Sequence, residues 1–297
     1  MHPFEFKPSL AIDIKKVKSL PINLMASEKL DGIRCTFFGG KAYSRSLKLL
    51  PNKALQAYAL SNKDILDRLD CEIIVGPKFA KDVFSQSTSA IMSQDKDVYF
   101  TVHAFDLYIP EMPFKDRYKL LKMLVEAVNL PRLELVQHEF ILASEVDLME
   151  RKVLAEGAEG LMLRDADAFY KCGRSGTKNP ELMKVKAFID EEFEIVGFEP
   201  QYYNANEAKI NELGRTSRSS HKENLFALDT LGALTLLTKD GLKFNVGTGF
   251  DDKLRRDLWS ERDSLIGKLA KIKHFPIGMV DVPRLPVFIG IRSELDI

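Results

Sequence analysis

The sequence is poor in cysteine: Cys35, Cys71 and Cys172 are the only three in 297 residues. An odd number with no Cys-x-x-Cys pair argues against a disulfide framework and a thiolate zinc site, and points to a reducing compartment. An excess of charge is missing too, since Lys+Arg and Asp+Glu both count 43. The chain as a whole does not advertise a polyanionic partner, although a local basic stripe suffices for a nucleic-acid channel. Long apolar runs are absent. Stretches such as Ala233–Leu237 and Val287–Ile291 fall far below the roughly 18 residues of a membrane span. The opening MHPFEFKPSLAIDIKK lacks the basic-then-apolar order and small-residue cleavage site of a secretory leader. The expectation is a cytoplasmic protein with no membrane segment.

What is present is globular: 45% hydrophobic residues, 29% charged residues and 19 Phe, at a length that suits about two domains. In the first part, Lys29–Phe38 reads as a strand interrupted by Asp31-Gly32, with further strands at Cys71–Val75 and Tyr99–Tyr108. Tyr118, Leu121, Leu124, Val125 and Val128 recur at helical spacing, as do Val146, Met149 and Val153. After Lys186 the pattern changes to short strands at Phe193–Phe198, Ala233–Thr238, Leu242–Val246, Leu269–Phe275 and Val287–Ile291. One helix, Asp251–Ile266, stands among them, with an Asp to cap it and Gly267 beyond its end. Five strands with a helix before the fourth is the element order of an OB-fold barrel, shared by other small β-barrels. Gln201–Leu225 has little apolar periodicity and carries Lys209, Arg215, Arg218, His221 and Lys222. It reads either as a solvated loop or as an arm that closes on a phosphate backbone.

The hexapeptide Lys29-Leu30-Asp31-Gly32-Ile33-Arg34 also has two readings. It is a plain Asp-Gly turn between strands, or Lys29 is a nucleophile. A lysine amine with its ordinary pKa near 10.4 is deprotonated in roughly one molecule in a thousand at neutral pH. A nucleophilic Lys29 therefore needs cationic neighbours and partial desolvation, so other Lys or Arg residues should gather around it. Lys184 and Lys186, separated by Val185, project from one face of a strand. Glu72 lies in an otherwise apolar strand, where a carboxylate is costly unless it pairs or binds a ligand. Arg34, Arg45 and Arg174 offer paired donors that match phosphate oxygens.

These residues form an ordered series: the Lys29 hexapeptide, Ser44-Arg45-Ser46, Asp70-Cys71-Glu72-Ile73-Ile74, Phe105-Asp106-Leu107-Tyr108, Glu159-Gly160-Leu161-Met162-Leu163-Arg164, and Leu182-Met183-Lys184-Val185-Lys186. With the tail Pro283–Arg292 and Val246–Asp251, the series resembles the covalent nucleotidyltransferase superfamily, and within it the minimal ATP-dependent DNA ligases. The resemblance covers almost the whole chain. It departs at Cys172-Gly173-Arg174-Ser175-Gly176, where an aromatic is replaced by Cys172, and at Ser46, which stands for a threonine.

The resemblance implies an α+β protein. An adenylyltransferase domain of the ATP-grasp-like ligase type, with antiparallel sheets and helices, would span 1–189, and an OB-fold β-barrel 190–297, with a latch-like basic insert at about 201–225. It implies that Lys29 attacks the α-phosphate of ATP, with Lys184 and Lys186 on that phosphate and Arg45 on the 5′-phosphate of a nick. Ser27, Arg34, Glu72, Phe105, Arg174, Arg284 and Arg292 would hold the nucleotide, Phe105 by stacking on adenine and the last two arginines by gripping the β- and γ-phosphates. Glu72 and Glu159 would hold magnesium or manganese. Arg45, Lys209, Arg215, Arg218 and Lys222 would contact nicked duplex DNA, which a monomer would encircle. A hinge near Ala187–Glu192 would let the barrel close and swing away. RNA ligase or mRNA capping guanylyltransferase of the same superfamily, and a non-catalytic OB-fold protein that binds DNA ends, are the alternatives.

Overall fold

The computed structural model describes residues 6–186, 188–211, 216–275 and 282–292. The chain divides into two compact units, Met1–Lys186 and Ala187–Ile297.

Two five-stranded sheets build the first unit. In one, the strands run in the order Ile12–Asp13, Leu182–Lys186, Gly160–Asp165, Leu24–Lys29 and Glu139–Ile141. Leu24, Ala26, Leu161, Leu163, Met183 and Val185 pack from this sheet against Val146 and Val153 of the Val146–Ala155 helix. Because side chains alternate across a strand, the residues between them, Ser27, Lys29, Met162, Lys184 and Lys186, occupy the opposite face. Each buried aliphatic side chain stabilises by roughly 1.5–3 kcal/mol. A one-residue slip would exchange the two faces, so the apolar face fixes where the lysines point.

The other sheet has the order Lys41–Ser44, Ile33–Phe38, Leu69–Val75, Phe100–Leu107 and Leu133–Leu135. Its core face, with Cys35, Phe37, Cys71, Ile73, Val102 and Ala104, packs on the Lys53–Ser61 and Phe114–Val128 helices through Leu55, Ala59 and Leu121. Arg34, Asp70, Glu72 and His103 are left on its other face by the same alternation.

The segment from Lys29 to Phe38 is not one interrupted strand. Leu24–Lys29 belongs to the first sheet and Ile33–Phe38 to the second, so Leu30-Asp31-Gly32 is a crossover and not a hairpin turn. Glycine is required there by close approach: a Cβ on Gly32 would lie 2.3 Å from the Ile73 carbonyl oxygen.

The second unit is a five-stranded antiparallel sheet in the order Lys243–Val246, Leu225–Leu237, Ile189–Asn204, Leu269–Phe275 and Arg284–Ile291. The Asp252–Ser260 helix precedes the fourth strand in sequence, and the Asp251 side chain caps it by accepting from the Leu254 N–H at 2.7 Å. The order matches the OB expectation, but the two edge strands do not pair as a ladder. They are joined at one seam, where the Phe288 N–H donates to the Thr248 carbonyl at 2.9 Å and the Thr248 hydroxyl donates to the Pro286 carbonyl at 2.8 Å. Gly249, at φ 95°, makes this seam possible, because a Cβ there would lie 2.3 Å from the Phe288 oxygen.

Gln201–Leu225 is more ordered than its composition suggests. Tyr202, Tyr203 and Asn204 continue the ladder with Ala227, Phe226 and Leu225, and Ala208–Ile210 pairs with Thr216–Arg218 in a second, small hairpin. Asn206 ties this arm together, donating to the Ser219 and His221 carbonyls at 3.0 and 2.9 Å and accepting from Asn224 at 3.1 Å. Ile189–Glu192, within the segment expected to act as a hinge, pair with Lys271–His274. Of the expected segment only Ala187, outside the described residues, and Phe188 precede that strand. No helix among the described residues is long and apolar enough to cross a membrane.

Candidate active site

Three strands of the first sheet converge on one carboxylate. Gly160 is in register with Lys29 on one side and Lys186 on the other, and Met162 with Ser27 and Lys184. Lys29 thus faces the two lysines that the sequence singles out. Glu159, immediately before this strand, is fully buried; one of its oxygens accepts from Lys29 Nζ and the other from Lys186 Nζ. Its main-chain N–H donates to the Lys29 carbonyl at 3.1 Å, which fixes the side chain between the two ammonium groups. Gly160 allows the approach, since a Cβ there would lie 2.3 Å from the Val185 carbonyl oxygen.

The electrostatics follow from this packing. Burial raises the Glu159 carboxyl, but Lys29 and Lys186 outweigh it and hold the group below the usual carboxylate range. Burial lowers Lys184 and Lys186, and repulsion from Lys29 adds to the effect on both. Arg174, exposed and donating to the Ala11 carbonyl at 3.1 Å, adds further repulsion on Lys184. The cluster of cations expected around a nucleophilic lysine is present. It suits a partner with several negative charges.

Glu72 sits across the crossover, where it accepts from the Gly32 N–H at 3.2 Å. Burial pushes its carboxyl up to about 7, against the pull of Lys29 and Arg34. A folded-state value above the ordinary 4.5 means that the folded protein binds more protons than the unfolded chain between those values. Stability should therefore fall as pH rises through that window. Glu72→Gln should remove this slope. Melting temperatures of wild type and variant, compared from about pH 5 to about pH 8, should converge toward acid and separate in the variant's favour toward neutral pH; parallel curves would refute the assignment.

Phe105 is the half-exposed aromatic of its strand, with the Arg34 guanidinium 4.9 Å from its ring centroid. Arg34 is itself engaged: its Nε and Nη2 donate to the two oxygens of Asp70 at 2.6 and 2.5 Å. Burial works against the Arg34 charge, but the Asp70 pair raises its pKa on balance. Tyr170 donates to the same carboxylate at 2.8 Å. Arg34 is thus a wall of the site held by Asp70, and not a free fork as its sequence position suggested.

Beneath this layer lies a second ionic group that sequence reasoning missed. Asp106, 0% exposed, accepts from Arg117 at 2.8 and 3.2 Å and from Arg164 at 2.7 Å. The Arg164 guanidinium lies 5.6 Å from the Phe105 ring centroid and 4.5 Å from that of Phe114. Burial alone would raise the Asp106 carboxyl; the two arginines bring it below the usual range. The available signal was chemical cost: Arg117 falls among Phe114, Tyr118 and Leu121 on the apolar face of its helix, where a charge needs a partner.

Of the remaining candidates, Ser27 is buried on the lysine face. Arg45 is exposed at the tip of the turn after Lys41–Ser44 and makes no hydrogen bond or ion pair among the described residues; Ser44 and Ser46 bracket it with their hydroxyls 3.1 Å apart. In the second unit, Arg284 is half-buried and in register with Phe275, and Arg292 pairs with Glu192. On the arm, Lys209 and Lys222 are exposed, Arg218 donates to the Asn206 carbonyl, and Arg215 lies outside the described residues. Among the described residues no group of three or more His, Cys, Asp or Glu forms a metal cage. Glu72 and Glu159 nonetheless supply the oxygen chemistry that suits magnesium, which binds through one or two carboxylates plus water and substrate phosphates.

Comparison with known proteins adds independent observations. The family model for the ATP dependent DNA ligase domain matches residues 8–186, and that for the DNA ligase OB-like domain matches residues 228–292. The chain is 30% identical to Chlorella virus DNA ligase-adenylate, over 97% of this chain and 99% of that one, with a TM-score of 0.52. A Lig E DNA ligase, described as binding DNA with a minimal scaffold, is similar at 23% identity and TM-score 0.72, over 96% and 99% of the two chains. A structure named Pmar-Lig shares the fold at 21% identity and TM-score 0.74, over 97% of this chain and 68% of that one. No match was found among curated protein sequences.

Proposed function

Since this chain belongs to the ATP-dependent DNA ligase family, we propose that it seals nicks in duplex DNA through covalent adenylation of Lys29. ATP is the nucleotide this family consumes, and the lysine face described above is where we place it. The observation that carries the reading is the single buried carboxylate, Glu159, that holds the ammonium groups of both Lys29 and Lys186.

Attack requires that Lys29 shed a proton and turn from Glu159 toward the α-phosphorus of ATP. The Nζ–P bond forms as the P–O bond to pyrophosphate breaks. Lys184 and Lys186 meet the charge that develops on the phosphoryl oxygens, and fixed cations of this kind need no reorganisation as the reaction proceeds. Phe105 offers its half-exposed face to adenine, backed by Arg34, with Ser27 and Arg174 at the edges of the nucleotide. Glu72 and Glu159 would hold a divalent metal, which when bound neutralises phosphate charge. The adenylate then passes to the 5′-phosphate of the nick, which Arg45 holds, and the neighbouring 3′-hydroxyl displaces AMP as the new phosphodiester forms. Arg284 and Arg292 grip the β- and γ-phosphates in the first step. The 190–297 region, with its arm carrying Lys209, Arg218 and Lys222, completes a monomer's hold on the duplex; most contacts go to phosphate, so affinity falls steeply with salt.

Purified protein given magnesium and a labelled nicked duplex should join the strands with ATP and not with GTP. A covalent GMP adduct would favour a capping enzyme. Sealing confined to nicks flanked by ribonucleotides would favour an RNA ligase.

A further inference from the structure

Arg292 has a partner built into its own sheet. On the first strand of the second unit, Phe193 and Ile195 enter the core, so Asp190, Glu192 and Glu194 line the outer face. Glu192 is in register with Lys271, and Lys271 with Gly290 of the last strand. Lys271 directs its ammonium to Asp190, 3.5 Å away, and not to Glu192. Gly290 contributes no side chain to the row, and a Cβ there would meet nothing within 4 Å. The Glu192 carboxylate is left to Arg292, whose Nη1 donates to Oε2 and whose main-chain N–H is pinned to the Leu269 carbonyl at 2.8 Å. Both side chains are about one-third exposed, at 35% and 32%.

We propose that Glu192 is a resting partner of Arg292: a carboxylate that competes with the triphosphate of ATP for the guanidinium and so influences how readily enzyme adenylation begins. The inference rests on the reading of Arg292 as a triphosphate ligand. A carboxylate carries one negative charge and a triphosphate several, and Arg forks match phosphate oxygens as well as they match carboxylate. A water-screened pair is weak enough for ATP to displace it. Its presence still lowers apparent ATP affinity by the fraction of molecules in which Arg292 is engaged. Glu192 is a positioning residue in this scheme and touches no reacting atom.

Glu192→Gln keeps the shape and removes the charge. It should lower the KM for ATP in self-adenylation by about threefold to fivefold with kcat little changed. Sealing of a nick that already carries a 5′-adenylate should not change, since that step uses no triphosphate; this also serves as the control for folding. Arg292→Ala should impair self-adenylation, and the double variant should behave as Arg292→Ala alone. If Arg292→Ala impairs adenylation while Glu192→Gln leaves KM unchanged or raises it, the resting-partner role is wrong and the triphosphate role stands. If Arg292→Ala leaves adenylation intact, the triphosphate role fails, and the inference with it.

Discussion

Lys29→Ala is expected to reduce ATP-dependent nick sealing by at least about four orders of magnitude, the scale seen when a covalent nucleophile is removed. The loss should be chemical and not structural. Without Lys29, Glu159 keeps Lys186 on its other oxygen and its main-chain bond to residue 29, so no buried charge is orphaned. A nick prepared with a 5′-adenylate bypasses the missing amine, and the variant should still join it, since Lys184, Lys186 and Arg45 remain. Lys29→Arg should fail in the first step as completely, because a guanidinium does not give up its proton near neutral pH. Quantitative sealing of both substrates by both variants decides the matter. Loss on the pre-adenylated nick equal to loss with ATP would move Lys29 from nucleophile to structural member.

Asp106→Ala is expected to have the largest effect on stability, about 3–5 kcal/mol, which is the cost of leaving a buried charge without its partner. Here two arginines are orphaned together. Arg117 is 2% exposed and Arg164 5%, and Asp106 is the acid they share. Among the described residues, the hydrogen bonds left to Arg117 would be those to the Met112 and Ala168 carbonyls, at 2.6 and 3.3 Å. For a unit of this size such a loss lowers the melting temperature by roughly 6–20 °C. Asp106→Asn keeps an acceptor oxygen and should fall between wild type and alanine. Denaturant titration of the three proteins measures the order; a cost under about 1 kcal/mol for alanine would show that water already screens the arginines.

Much of the site was legible because its chemistry is expensive elsewhere. Two lysines one residue apart must share a strand face, and Glu72 stands in an apolar strand where an unpaired carboxylate is costly, whereas Glu159 was legible only through the family resemblance. Helix periodicity located the Phe114–Val128 and Val146–Ala155 helices, and the Asp251 cap located the start of the helix in the second unit. Pairing partners were not legible, since local pattern is silent on which strands meet. Lys29–Phe38 reads as one strand, and only the sheet order separates it into two strands in different sheets. That separation puts Lys29 at a crossover between Glu159 and Glu72. The Asp106 group escaped notice for a related reason: Arg117 and Arg164 are 47 residues apart in sequence and meet only through the fold. In the arm, polar composition concealed a hairpin whose order comes from backbone pairing and Asn206, neither of which leaves an apolar period.

The most direct measurement is the intact mass of the protein after incubation with ATP and magnesium, followed by peptide mapping. A single added AMP on the peptide containing Lys29, labile to acid as a phosphoramidate is, discharged by nicked duplex and absent from Lys29→Ala, is the predicted result. An unmodified mass in protein that seals nicks, or an adenylate carried by another residue, would contradict the account.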